Sequence, residues 1–286
     1  MGFSLAGKRS DNIHPDDTMI RLLPRAGATR RQTRPPAGAI LALAALILAA
    51  WGAAPAVAQD SAGVAGGAAA VHTIRWYEPV AAAGAVALVS LVDESVADHF
   101  RQHRSSGGDD LADAARQFGG PFVYLPITAG VLVGGLATHK PEVTRVGLRL
   151  AASLGLAGAA GYGLKFVLGR QRPNATTDAY QFDPFTSDRA LPSGHTTMAF
   201  ALATSLADDL HRPWATVGLF GAATAVGVAS VYREDHWVSD CVAGAAVGFT
   251  AAKLAHGRWR VFGIKLPGFH FGPGGAALGW RLQFHE

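Results

Sequence analysis

The sequence predicts an all-α protein, a bundle of about six core helices with a short β-hairpin-like tail. Between residues 76 and 256, long apolar stretches are interrupted by Pro, Gly and capping residues, and none shows the two-residue alternation of a strand. Hydrophobic residues make up 49% and charged residues 16%, with 35 glycines, a composition of close-packed helices or membrane contact and not of disorder. Alternation appears only at the end, where Leu278, Trp280, Leu282 and Phe284 are interleaved with Gly279, Arg281, Gln283 and His285.

The elements follow in order. Residues 1–36 are polar and basic, Ala37 to Gly52 is apolar, and Ala56-Val57-Ala58 has the small-x-small pattern of a cleavage site. Residues 1–58 therefore read as a secretory signal cleaved before Gln59, with an uncleaved anchor as the alternative. Residues 59–75 read as a Gly/Ala-rich linker, 76–256 as the helical domain and 257–286 as a tail. Pro79–Val92 runs on into an amphipathic segment to Asp98, and Ser105-Ser106-Gly107-Gly108 breaks it. Asp109–Gln117 is a short helix capped by Asp109 or Asp110. Gln117–His139 has no charged residue, and Glu142 to Gly169 is the helix that Arg172-Pro173 stops. His195–Leu210, Pro213–Tyr232 and Asp235–His256 complete the bundle, with Pro213 at a favourable first-turn position. In the tail, Trp259–Leu266 is expected to pair with the alternating strand.

Charge narrows the function. The formal net charge of +4 belongs to the leader: residues 1–58 hold seven Lys/Arg and three Asp/Glu, and the remainder holds eighteen of each sign. No basic stripe is left to release phosphate counterions, so a nucleic-acid partner is not expected. One cysteine, Cys241, excludes an internal disulfide and a Cys-rich metal site. The histidines outside the motifs below have no ligand spacing, so no metal is expected.

The densest chemistry lies between Lys165 and Asp240. Lys165 and Arg172 stand seven apart near the end of one helix, where both can neutralise an anion; Arg offers a donor fork and Lys a point charge. Pro192-Ser193-Gly194-His195 opens the next helix. Its free N–H groups, the Ser193 hydroxyl and the small Gly194 suit an oxyanion, and His195 can move a proton near neutral pH. His236 and Asp240 share one helix face at i and i+4, so the carboxylate can hold one ring nitrogen and leave the other to attack. Glu234 and Asp235 are expected to cap that last helix and face water.

This order, Lys-x6-Arg-Pro, then Pro-Ser-Gly-His, then His-x3-Asp, resembles the three-part motif of the type-2 phosphatidic acid phosphatase superfamily over roughly residues 118–254. The resemblance implies phosphoryl transfer through a phosphohistidine at His236, with His195 as acid and then base and Asp240 orienting. It also implies that Lys165, Arg172, Ser193 and Gly194 bind the phosphate. One departure stands out: Ser230 occupies the place of the motif's arginine. Arg233, three residues later, is the expected substitute, with Arg170 as a second candidate that is otherwise expected to face solvent.

The expected function is an exported, metal-independent phosphatase for phosphomonoesters or pyrophosphates, on a phosphorylated small molecule or a lipid phosphate. No cofactor is expected. The rivals are a vanadium-dependent haloperoxidase, which would carry vanadate, and a non-catalytic phosphate- or lipid-binding relative. Most apolar runs are 12–18 residues, short of the ~20 that a membrane span needs. A periplasmic or otherwise extracytoplasmic bundle, soluble or membrane-associated, is therefore expected. If the signal is cleaved and every helix spans, Lys165 and Arg172 would face the cytoplasm instead.

Overall fold

The computed structural model describes residues 71–186 and 190–261, and the backbone of 268–272 and 275–279. The expectations for the leader, the linker to residue 70 and the alternating residues 280–286 lie outside the described residues. The elements are β1 (His72–Ile74), α1 (Tyr77–Ser90), α2 (Asp93–Gln102), α3 (Ser106–Arg116), a 3-10 turn (Gln117–Gly119), α4 (Pro121–Ala137), α5 (Pro141–Leu168), α6 (Gly194–Leu210), α7 (Pro213–Tyr232), α8 (Val238–Ala255), β2 (Trp259–Val261), β3 (Gly268–Gly272) and β4 (Gly275–Gly279). The chain is mostly helical, as its sequence predicts.

Local chemistry sets the boundaries. Pro121, Pro141 and Pro213 each open a helix at a position whose N–H has no intrahelical partner. The break at 105–108 is shorter than expected: Ser105, in extended conformation, accepts the Gly108 N–H and starts α3 itself, ahead of Asp109. Gly108 has a packing reason to lie in that first turn, because a Cβ there would stand 2.2 Å from the Tyr232 hydroxyl. That hydroxyl in turn accepts the Ser105 N–H. Gly169, not Arg172-Pro173, ends α5. Its φ of 58° is left-handed, and a Cβ would fall 1.8 Å from the Asp183 carbonyl oxygen.

Helix α6 is the axis of the bundle. Ala199, Ala201, Leu202 and Ala203 are fully buried between α5, α7 and α8. Its closest neighbour is α8, where Gly244 and Gly248 leave room for backbone; a Cβ at Gly248 would lie 2.2 Å from the Thr197 carbonyl oxygen. Helix α3 runs on through the 3-10 turn into α4 as one stretch, Ser106–Ala137, and α2 continues α1 across a 44° bend. The ends of α5 and α7 meet the starts of α6 and α8 at one end of the bundle, tied by the bonds described below. At the other end β1 pairs in parallel with β2, His72 opposite Trp259.

The tail corrects the expected pairing. Trp259 packs edge-on against Phe249 of α8, 5.6 Å between ring centroids, which holds β2 at the bundle and against β1. The hairpin forms farther on, β3 with β4, with Gly268 opposite Gly279.

The helices are also longer and more apolar than the run lengths implied. Among the described residues, four helical stretches are long and apolar enough to cross a membrane: Ser106–Ala137, Pro141–Leu168, Pro213–Tyr232 and Val238–Ala255. Their outward faces carry large apolar side chains; Phe122 is 85% exposed, Trp214 77% and Val217 74%. In α1 no residue is buried although most are apolar. Such an exterior fits membrane association better than a water-facing surface.

The α6–α8 contact gives the first prediction. Gly248→Ala should destabilise the fold by about 1–3 kcal/mol through overpacking. Gly218→Ala and Gly221→Ala on α7, where a Cβ meets nothing within 4 Å, should instead stabilise by roughly 0.5–1 kcal/mol through helix propensity. Thermal unfolding in detergent separates the two classes.

Candidate active site

Three backbone turns meet at one end of the bundle. Beyond Gly169 the chain folds back on itself: Asp183 N–H bonds the Gly169 carbonyl at 2.9 Å, Gln171 N–H the Gln181 carbonyl at 3.0 Å, and Ala190 N–H the Arg170 carbonyl at 2.9 Å. The α6 start is tied to the α8 start by a 2.9 Å bond from Ser193 N–H to the Asp240 carbonyl. The buried Trp237 indole donates to the Gln171 carbonyl at 2.9 Å and so binds the third motif to the first.

These ties bring the predicted residues together. Lys165 runs beside Gly194, its Cε 3.7 Å from where a Cβ would be, and its Nζ reaches the Ala190 carbonyl at 3.4 Å. The charged groups acting on His195 are Arg116, His236, Asp235 and Lys165. Those acting on His236 are Asp240, Lys165 and Arg172. Both imidazoles and both motif cations therefore share one neighbourhood, with the first turn of α6 facing it. Ser193 is fully buried and its hydroxyl accepts a 2.9 Å bond from Thr196, so it braces the turn.

His236 is 4% exposed. Its Nδ1 lies 3.5 Å from Asp240 Oδ2 and has no closer partner, and that oxygen also accepts the Trp237 N–H at 2.9 Å. The carboxylate thus faces Nδ1, and Nε2 is the nitrogen left for attack. Burial pushes the His236 pKa below the ordinary 6.5; Asp240 opposes this, and Lys165 and Arg172 add to it. The net effect is a neutral ring, the form that can act as a nucleophile.

Several assignments move. Arg170 does not face solvent. It is 2% exposed, and all five of its N–H donors are engaged: Nε and Nη2 with the Ala179 carbonyl at 2.9 and 2.6 Å, Nη1 with Ser239 Oγ and Asp240 Oδ1 at 2.7 Å each, and Nη2 with Asp93 Oδ2 at 2.8 Å. It anchors Asp240 and has no donor left for a ligand. Arg233 is held by Asp109 at 3.1 Å and Asp113 at 3.3 Å on α3, which takes it out of the expected phosphate-binding set. Ser230 is fully buried and donates to the Val226 carbonyl at 2.8 Å, so it offers nothing to an anion either. Glu234 and Asp235 do not cap α8. Glu234 pairs with Arg101 at 2.9 Å and Asp235 with Arg116 at 2.8 Å, while Asp240 takes the cap.

Asp93 is the site residue that the sequence hid. It is 1% exposed, accepts Ser239 N–H at 2.9 Å and the Ser239 hydroxyl, and pairs with Arg170. Nothing local distinguishes it from Glu94, and its cation lies 77 residues on. Among the described residues, no group of three or more His, Cys, Asp or Glu could hold a metal ion.

Residues 146–261 match the family model of the PAP2 superfamily, and this segment contains all three motifs. The lipid A 1-phosphatase of Porphyromonas gingivalis is 28% identical over 193 residues. That alignment covers 65% of this chain and 38% of that protein, so the chain spans well under half the relative's length. A transmembrane PAP2-type phosphatidylglycerolphosphate phosphatase from Bacillus subtilis has the same fold: TM-score 0.50 at 20% identity, over 63% of this chain and 95% of that one. Aquifex aeolicus LpxE gives a TM-score of 0.45 at 20% identity, over 58% and 94%.

The buried network gives the second prediction. Arg170→Met leaves two carboxylates buried without a cation and should cost about 3–5 kcal/mol, read as a large drop in unfolding midpoint. Asp93→Asn in the same protein should recover part of that loss.

Proposed function

We propose that the chain is a membrane-embedded, metal-independent phosphatase for lipid-linked phosphomonoesters or pyrophosphates, working outside the cytoplasm. The observation that carries this reading is the meeting of His195, His236, Lys165 and Arg172 beside an apolar groove. The groove has a volume of about 2430 Å³ and runs between α1, α5 and α8. Its wall holds none of those four residues but includes Leu168 and also Leu164, Pro192 and Ser239, which adjoin Lys165, Ser193 and Asp240 in the chain. A headgroup phosphate would sit among the cations while hydrocarbon chains lie along the groove. The relative whose name specifies a lipid phosphate substrate, lipid A 1-phosphatase, supports the same class.

The chemistry follows from the positions. Lys165, Arg172 and the first N–H groups of α6 neutralise the phosphoryl oxygens. His236 Nε2 attacks phosphorus, the P–O bond to the lipid breaks, and His195 donates its proton to the leaving oxygen. His195 then takes a proton from water, whose oxygen attacks phosphorus and breaks the P–N bond, so that inorganic phosphate leaves and His236 is restored.

Lys and Arg stand at both ends of the bundle, Lys140, Arg145, Arg212 and Arg258 at one and Arg101, Arg104, Arg172 and Arg233 at the other, so the orientation depends on the side from which the chain enters its first crossing. With α1, α4, α5, α6, α7 and α8 as six crossings, the site faces outward where residue 72 lies inside. A signal cleaved before Gln59, or kept as an anchor with its basic end inside, would reverse this, because residue 72 would begin outside. Membrane-impermeant labelling of cysteines introduced at Ser106 and Thr138 in intact cells decides between them. Ser106 should label and Thr138 should not; the reverse pattern places the site in the cytoplasm.

Phosphate release from a lipid phosphate in detergent should be abolished in His236→Ala, and unchanged turnover would overturn the assignment. In the parent, the acid limb of kcat/KM should lie below pH 6.5, because the lowered His236 pKa keeps the ring neutral there. Asp240→Asn should move that limb to still lower pH, since it removes the charge that raises the ring's pKa. Both profiles are measured with the substrate's own ionisation subtracted. Halide oxidation after vanadate loading would favour the haloperoxidase reading.

A further inference from the structure

We propose that Arg116, at the end of α3, supplies the third phosphate-binding cation, the guanidinium this chain lacks at Ser230. The inference rests on the phosphate-site reading above and extends it to a residue outside all three motifs.

The cations at this end of the bundle differ in what they have left to offer. Arg170 has no free donor. Arg101 is shared among Asp98, Glu234 and the Pro173 carbonyl. Arg104 pairs with Asp109 and Glu234, and Arg233 with Asp109 and Asp113. Arg116 is different. Its Nη1 lies 2.8 Å from Asp235 and 4.0 Å from Asp113, yet its Nε is shielded from solvent and has no hydrogen-bond partner. A buried donor left open costs free energy unless something completes it.

The backbone brings the end of α3 to the first turn of α6. The 3-10 turn that follows Arg116 rests on the first turn of α6: a Cβ at Gly119 would lie 2.3 Å from the His195 carbonyl oxygen. The Arg116 charge acts on the His195 imidazole more strongly than that of His236, Asp235 or Lys165. Asp235, which grips Nη1, adjoins His236 in the chain. With Nη1 held there, the Nε–Nη2 edge remains as a fork, the geometry that takes two oxygens of a phosphate together. A short serine at 230 and an arginine reaching in from α3 thus form one arrangement, in which the guanidinium arrives from a different helix.

The test uses the full-length protein in detergent, with inorganic orthovanadate as the anion probe and a lipid phosphate as substrate. Arg116→Met should raise the vanadate inhibition constant and KM by about tenfold to hundredfold, the loss of a charge-assisted pair. Arg116→Lys, which keeps the charge but not the fork, should raise both by at least about threefold. Unfolding midpoints show whether each variant is folded, and if Arg116→Met is not, Arg116→Lys decides alone. Folded variants that bind vanadate as tightly as the parent overturn the proposal, as does a loss that follows Arg233→Met but not Arg116→Met. Failure of the underlying phosphatase reading shows separately, as turnover that survives His236→Ala.

Discussion

A single buried guanidinium orders this end of the molecule. Arg170 draws together Asp93 from α2, Ser239 and Asp240 from α8 and the Ala179 carbonyl from the loop after α5. A cation taken out of water costs several kcal/mol unless every donor is satisfied, and here the two carboxylates and two neutral oxygens meet that condition. The same contacts fix the carboxylate that faces His236. Remote parts of the chain are thereby committed to one arrangement of the reacting groups.

The surrounding backbone serves the same end. Asp240 caps α8 through one oxygen, meets Arg170 through the other and, through its own carbonyl, holds the start of α6. Gly169, Gly244 and Gly248 remove side chains where backbone must touch backbone. The bundle can therefore be apolar and loosely covered on its outer faces while its catalytic end is closely braced. That division suits a protein whose outer faces lie in lipid, where burial against water does not hold helices together and close approach and hydrogen bonding must.

The helical class and the motif residues were legible because they are local: proline starts, long apolar runs, and spacings that put Lys165 beside Arg172 and His236 beside Asp240. What stayed hidden depends on distance in sequence. Arg170 read as solvent-facing because its partners are Asp93 and Asp240, both about 70 or more residues away. Arg233 read as a phosphate ligand because it is the cation nearest Ser230 in the chain, but α3 packs over that turn and supplies Asp109 and Asp113. The β2 strand went to β1 instead of the tail because Phe249 holds Trp259 against the bundle, a contact that no alternation pattern encodes.

Helix α1 is fastened chiefly at its two extremities, by the β1–β2 pairing below and by Asp93 just beyond its upper end, while no residue along its length is buried. Between those points it lies against α8 without burying a side chain, so it forms the thinnest wall of the apolar groove. That wall can yield to a bulky occupant while Asp93 and the residues it braces keep their places.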